Sequence, residues 1–252
     1  MKSVQDSFII RQAKPTDVDG VAHVLLTQVT HDGFHEWFFP YQDEYPEDFR
    51  DWWWRYCRRL VLLPGLMTLV AEVPVTGEIV GMAMWSFEPR GTLTPGEGPT
   101  PKDLDLAKDS LFEVLQRQYV RIADTLHERF HPNRAIDNEH MAQWPSVITK
   151  LQKKLWRGED RICWYSFEVA ADPTFPDAST VWDTLMQWGP ERGRVDEVSS
   201  FAGAGTPKEL SGLENLGYHK AAFLVIGDAQ GWIMKRDKER EGETVVVIYS
   251  GM

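Results

Sequence analysis

Positive charge is in deficit in this sequence: 27 Lys and Arg stand against 38 Asp and Glu, a formal charge of −11. Phosphate recognition needs a basic face, so nucleic acid is excluded as an expected partner. The short basic run Lys153, Lys154, Arg157 reads as a solvated helix face. Cysteine is scarce too. Cys57 and Cys163 among 252 residues make no disulfide framework. No stretch reaches the roughly 18 uninterrupted apolar residues of a membrane span. Residues 1–7 hold no apolar signal core. Internal repeats and low-complexity tracts are missing as well. The expectation is a chain in a reducing, cytoplasmic setting, with no membrane partner and an oligomeric state left open.

What is abundant is flat rings. Eleven Trp, twelve Phe and seven Tyr make the chain 12% aromatic, against 42% hydrophobic and 26% charged residues overall. A packed core is expected, with rings shaping it or a pocket within it. Residues 8–11 read as a strand, and Thr16 as an N-cap opening a helix that runs to about residue 30. A loop is expected over 31–40 and a helix over 47–62. Strands at 67–73 and 78–87 flank a turn at Thr76-Gly77. A Pro- and Gly-rich loop over 89–101 leads to a helix over 104–130, with Leu104, Leu111, Leu115, Ile122, Leu126 and Phe130 as its core stripe. Another helix fits 141–156. Then follow a strand at 162–170, a turn at 173–180 and helix 181–192. Strand 197–202, helix 207–216 and strands at 221–226, 232–235 and 244–249 complete the order. It describes one mixed α/β domain over residues 1–252, with a helical insertion over 89–161.

This order resembles the GNAT N-acetyltransferases, and local sequences agree at several points. Residues 8–21 look like that family's first strand and helix. Gly77-Glu78-Ile79-Val80-Gly81-Met82-Ala83 resembles its paired central strands. Trp164-Tyr165-Ser166-Phe167-Glu168-Val169 with Asp172-Pro173 resembles the fourth strand and the loop after it. Trp188-Gly189 and Leu213-Glu214-Asn215-Leu216-Gly217-Tyr218 fit late positions. The likeness spans residues 8–88 and 162–235 and implies a mostly antiparallel central sheet flanked by helices. It implies a site for acetyl-CoA in a splay after the fourth strand. There the backbone of Phe167 and Val169 would hold the pantetheine arm, and a helix start at Ser179 and Thr180 the pyrophosphate.

Two departures weaken that implication. The family's pyrophosphate turn carries Gly and a basic or amide residue, whereas residues 173–188 contain no Gly, Lys or Arg. Pro176 removes a backbone donor and Asp177 adds negative charge. The position of the family's proton-donating Tyr is taken by Leu213, and Tyr218 falls at a structural aromatic position.

Several clusters are candidates for chemistry. Glu168 lies within an apolar strand, where burial favours a proton-accepting carboxylate. His35 sits in an aromatic loop and can carry protons near neutrality. Tyr165 is a third proton carrier. Phe34, Glu36, Trp37, Phe38, Phe39, Trp53 and Trp85 are the expected substrate wall. Trp52-Trp53-Trp54 cannot all face one way on a helix; one should reach the core or pocket and another the insertion. His127-Glu128-Arg129-Phe130-His131 fits the HExxH zinc pattern, but it closes a helix before Pro132 and no third ligand is evident, so no metal is expected.

The leading expectation is a GNAT-fold enzyme whose chemistry no longer needs acetyl-CoA, with no cofactor. Decarboxylation, cyclisation or isomerisation of a small apolar or aromatic metabolite would fit. The alternative is an acyl-CoA-dependent N-acetyltransferase acting on a small amine. A non-catalytic binding module is the third reading.

Overall fold

The computed structural model describes residues 7–30, 32–88, 111–237 and 246–250. Eight strands form one sheet: β1 (Ile9–Gln12), β2 (Leu66–Glu72), β3 (Ile79–Glu88), β4 (Cys163–Ala171), β5 (Ser199–Ala204), β6 (His219–Ile226), β7 (Ala229–Arg236) and β8 (Val246–Ser250). Their order is β1-β2-β3-β4-β5-β7-β6-β8. Only the β4–β5 and β6–β8 pairs are parallel, so the sheet is mixed and mostly antiparallel. Seven helices flank it among the described residues: α1 (Val18–Val29), α2 (Gly33–Phe38), α3 (Pro46–Val61), α4 (Leu111–Phe130), α5 (Asn138–Leu155), α6 (Ala178–Asp196) and α7 (Pro207–Asn215). No helix among the described residues is long and apolar enough to cross a membrane.

Both faces of the sheet are covered, so its central strands read as continuous apolar runs. On one face, α6 packs Val181, Leu185 and Met186 against Val80, Ala83 and Trp85. The approach is close because Gly189 has no side chain: a Cβ there would lie 2.2 Å from the Trp85 ring. On the other face, α1 and α3 bury Val21, Leu25, Phe49, Trp53 and Cys57 over Val70, Met82 and Met84. Between β3 and β4 lie α4 and α5. Val147 and Leu151 of α5 pack onto Cys163 and Phe201, while α4 leans on α3 through Arg58 and the buried Asp124. Losing one partner of such a buried ion pair typically costs about 3–5 kcal/mol.

Three expectations are corrected. Residues 33–38 are a helix rather than loop, because the Asp32 carboxylate accepts from the His35 backbone N–H and caps it. Thr16 caps nothing; a 3-10 turn at Pro15–Asp17 precedes α1, and the Asp17 carboxylate accepts from the Lys14 N–H and pairs with Arg11. The stripe of α4 is no core stripe. Leu111, Leu115, Ile122, Leu126 and Phe130 are all exposed, because α4 meets α3 with the opposite face, where Val120 and Asp124 are buried. Leu104 and the 89–101 loop lie outside the described residues.

Candidate functional site

A change of face midway along β4 creates the site. Trp85 pairs with Ser166 and Met84 with Glu168, so Phe167 is the extra residue of a β-bulge. Before the bulge, Trp164 and Ser166 look toward α6, meeting Trp188 and Met186. After it, Val169 takes that direction. Phe167 and Glu168 are therefore both turned to the α2–α3 side, where Phe167 joins the core under α3 and Glu168 meets His35.

His35 is the centre of a charged cluster. Its Nδ1 lies 2.5 Å from Asp32 Oδ2, the same oxygen that caps α2. Its Nε2 lies 3.9 Å from Glu168 Oε1. That distance is an ion pair but too long for a hydrogen bond. Burial depresses the imidazole pKa, and the two carboxylates more than reverse this, raising it to about 9. At neutral pH the cluster is thus an imidazolium between two carboxylates. The Trp53 ring stands edge-on to His35, with centroids 5.2 Å apart. The buried Trp53 indole N–H has no hydrogen-bond partner among the described residues.

Three further side chains close this space. Burial, then the Glu168 charge, push the Tyr56 phenol well above 10. The same two causes push the Cys57 thiol up to about 12, so it is no nucleophile at neutral pH. Glu209 accepts from the N–H groups of Gly205 and Thr206 and from Gln28. Burial first, with Asp32 among the weaker causes, raises its pKa. Among the described residues, the carboxyl groups of Asp32, Glu168 and Glu209 surround His35, a setting that draws a positively charged ligand.

The sheet opens beside this cluster. Pairing between β4 and β5 stops at Ser166 and Ala202, although both strands continue. Phe201 on β5 and Gly205 just past its end lie on the α2–α5 side, one under Trp156 and the other beside Asp32 and Phe34. Gly203 shares their phase. It is exposed, and a Cβ on it would meet nothing within 4 Å. Open space therefore lies over the first unpaired step of the wedge. At the far end of β4, Asp172 folds the turn by accepting from the Thr174 N–H and hydroxyl, which hold its pKa down. Asp177 does not cap α6. Ser179 and Thr180 follow it in the first turn of α6, both exposed.

Of the expected catalytic residues, the structure brings His35 and Glu168 together. Tyr165 stands on the same strand with its ring against Trp156 and Phe167. Of the expected wall, Trp53 and Phe34 touch His35. Phe38 and Phe39 are buried behind them. Trp37 turns away to stack on His140, with centroids 4.2 Å apart. Glu36 is exposed.

Trp85 does not line the site. It faces α6, fully buried, with its indole N–H donating to the Leu185 carbonyl at 3.3 Å. The Trp triplet divides as helix geometry requires. Trp52 stacks on Tyr56, Trp53 faces His35, and Trp54 donates to Asp19. Arg55 and Arg58 carry ion pairs from α3 to α4. Within the HExxH pattern, His127 lies 3.1 Å from Asp51 and Glu128 is held by Arg55. No group of three or more potential ligands gathers among the described residues. Leu213 is fully buried in the core, and the buried Tyr218 hydroxyl meets Ser200. The sequence reading gave no role to Asp32, Tyr56 or Glu209. Asp32 carried a usable signal, since Asp three residues before His fits a capped helix start. The other two are placed by tertiary contacts alone.

No protein-family model and no curated protein matches the chain. Solved structures do. One is described as a histone acetyltransferase HPA2 and related acetyltransferase from Corynebacterium glutamicum; it is 16% identical, with a TM-score of 0.55 over 93% of this chain and 98% of that one. Another is a mutant of an agmatine N-acetyltransferase in its apo form, 11% identical, with a TM-score of 0.50 over 91% of this chain and 98% of the other. These likenesses show that the chain has the GNAT fold.

Proposed function

We propose that the chain is an acyl-CoA-dependent N-acetyltransferase acting on a small amine. The observation that carries the proposal is the Asp32–His35–Glu168 cluster set beside the open β4–β5 wedge. The GNAT fold supports an acyltransferase over the coenzyme-independent lyase, cyclase or isomerase, for which the comparisons provide no support. In both named neighbours the described activity is acetyl transfer.

A small alkylamine is an ammonium at neutral pH, with a pKa of about 10. The excess of carboxylates draws it to the cluster. The amine must lose a proton before its lone pair can attack, and His35 Nε2 is the acceptor. With a pKa near 9, His35 is an imidazolium at neutral pH and accepts only after giving up its own proton to solvent, a form that prevails as pH rises through 9. From that neutral imidazole, the transfer from an ammonium of pKa about 10 costs about 1 kcal/mol. Asp32 fixes the tautomer by accepting from Nδ1 and orients the ring. Glu168, across the 3.9 Å gap from Nε2, holds the ammonium next to the base. Trp53, Tyr56 and Phe34 exclude water from the transfer.

The residues of the wedge fit a coenzyme in part. The backbone around Phe167 and Val169, past the last β5 partner at Ser166, would lie along the pantetheine arm, and the N–H groups at Ser179 and Thr180 would face the pyrophosphate. Acetyl-CoA would supply the activated acyl group. Asp177 and the absence of Gly, Lys and Arg from 173–188 weaken the phosphate side.

Titration calorimetry with acetyl-CoA and with CoA tests this reading. Binding at micromolar to tens-of-micromolar affinity, with acetyl transfer to amines, supports it. No binding at millimolar coenzyme sinks it and returns the coenzyme-independent reading to first place.

A further inference from the structure

Helix α4 carries an apolar stripe that nothing in the described chain covers. Leu111 exposes 75% of its surface, Leu115 59%, Tyr119 71%, Ile122 56%, Leu126 51% and Phe130 70%. Isolated exposed apolar residues need no account, but a continuous row marks an interaction face. With Val114 at its margin, the row offers on the order of 700 Å², close to the ~800 Å² per partner of a standard stable interface. It runs the whole helix, about 30 Å at 1.5 Å per residue.

The spacing of the row is the informative part. Its steps are 4, 4, 3, 4, 4, so it reads the same from either end. An isologous contact needs this property, since each patch must complement itself across a two-fold axis. With that axis at residues 120–121 and the helices antiparallel, Leu111 meets the second copy's Phe130, Leu115 its Leu126, and Tyr119 its Ile122. Large rings then face branched aliphatics in the outer and inner pairs, as filling a seam without voids requires. Antiparallel helices also set opposite macrodipole ends side by side.

Charge favours the same occupant. Each copy carries a net charge of −11, and two such bodies repel. The row and the residues beside it, Gln118, Arg121, Thr125 and Arg129, include no carboxylate. Two copies can therefore meet here without bringing acids together. The inner face of α4 is already committed, through Val120 and Asp124, to α3.

We propose that the chain forms a two-fold symmetric dimer through antiparallel pairing of α4. Because α4 braces α3, the dimer would stiffen the helix that carries Trp53 and Tyr56. The dimer does not depend on the proposed chemistry.

Sedimentation velocity on the full chain across about 1–100 µM tests it, a range that spans ordinary homodimer affinities. The expected result is twice the 29.0 kDa chain mass. Leu115→Glu with Leu126→Glu should give a monomer with unchanged far-UV circular dichroism, since both side chains are exposed. A second arm keeps the test decisive should that variant misfold. Leu115→Cys and Leu126→Cys proteins, mixed and oxidised, should cross-link as the mixed pair, while each alone should not. The native Cys57 and Cys163 are buried and stay out of the reaction. A monomer throughout the range overturns the proposal. So does a dimer insensitive to the charged variant, or Leu115→Cys protein that cross-links efficiently to itself.

Discussion

The α2–α3 wall and the α6 turn border the same strand, β4, and they are furnished in opposite ways. On the wall, ionisable groups are half-buried and locked to one another: Asp32 to His35, His35 toward Glu168, Glu209 to two backbone donors. At the turn, the helix start is exposed, uncapped and flanked by carboxylates. Burying a charge without a partner costs several kcal/mol, so the wall persists only as a satisfied network. An exposed helix start with a few stray charges costs little either way. On the proposed function, the wall would set specificity for the amine, and the turn would hold the coenzyme by backbone alone.

The largest effect should come from the centre of the wall. His35→Gln removes the proton acceptor and should lower kcat/KM for the amine about 10³-fold, within the usual 10²–10⁴ range for general bases. The same variant has a thermodynamic signature. His35 is raised from 6.5 to about 9 on folding, so its pairing stabilises the fold fully below pH 6.5 and is lost as pH rises through 9. The wild type should lose on the order of 2 kcal/mol between those limits, and His35→Gln should not. Equal pH dependence of the two melting curves would show that the wall is not electrostatically coupled.

Next in size is Glu168→Gln. Loss of the ammonium anchor should reduce kcat/KM roughly 10- to 100-fold, as for a charged hydrogen bond. The shape of the pH profile says more than its height. Activity in the wild type should climb with pH to a midpoint near 9, where His35 becomes neutral. Without Glu168 that midpoint should fall toward 6.5 while Asp32 keeps it above. A midpoint that stays put would separate Glu168 from His35 and reduce the cluster to a pair.

These residues differ in how far the sequence announced them. The sheet order and the GNAT likeness were legible because each strand and helix carries its own period and punctuation. His35 and Glu168 were legible one at a time, as a polar residue among rings and a carboxylate in an apolar strand. Their meeting was not, because it depends on the bulge at Phe167, and a bulge leaves no mark in a run of β-formers. Trp85 was misplaced for the same reason, since nothing in the sequence says which face a residue of a two-sided strand takes. The α4 row was misread more simply. Helical spacing reports a sided helix but not what covers the side.

A smaller effect probes the ground between the two regions. Gly203→Leu puts a side chain into the space over the wedge, where a Cβ now meets nothing within 4 Å. Stability should change by less than about 1 kcal/mol, as at exposed positions. KM for amine or coenzyme should rise about tenfold, with His35 titrating as before. An unaltered KM would mean that substrates approach from elsewhere.

The smallest effect belongs to the turn. Asp177→Ser removes one negative charge ahead of α6 and introduces a residue suited to the N-cap. Asp177 is partly exposed and its carboxylate lies 3.5 Å from the Ser7 hydroxyl. Its repulsion of a pyrophosphate is therefore screened by water and salt to a few tenths of a kcal/mol up to ~1. The KM for acetyl-CoA should drop about threefold at low ionic strength, and the gain should fade near 0.5 M salt. Turnover should not move, because the turn lies beyond the C-terminal end of β4, whereas His35 meets the strand at Glu168. The sign of the result is what matters. A lower KM places the coenzyme's charged end at the turn. An unchanged KM with intact acetyl transfer would detach the phosphates from α6, and the contrast between wall and turn would then no longer describe how the two substrates divide the site.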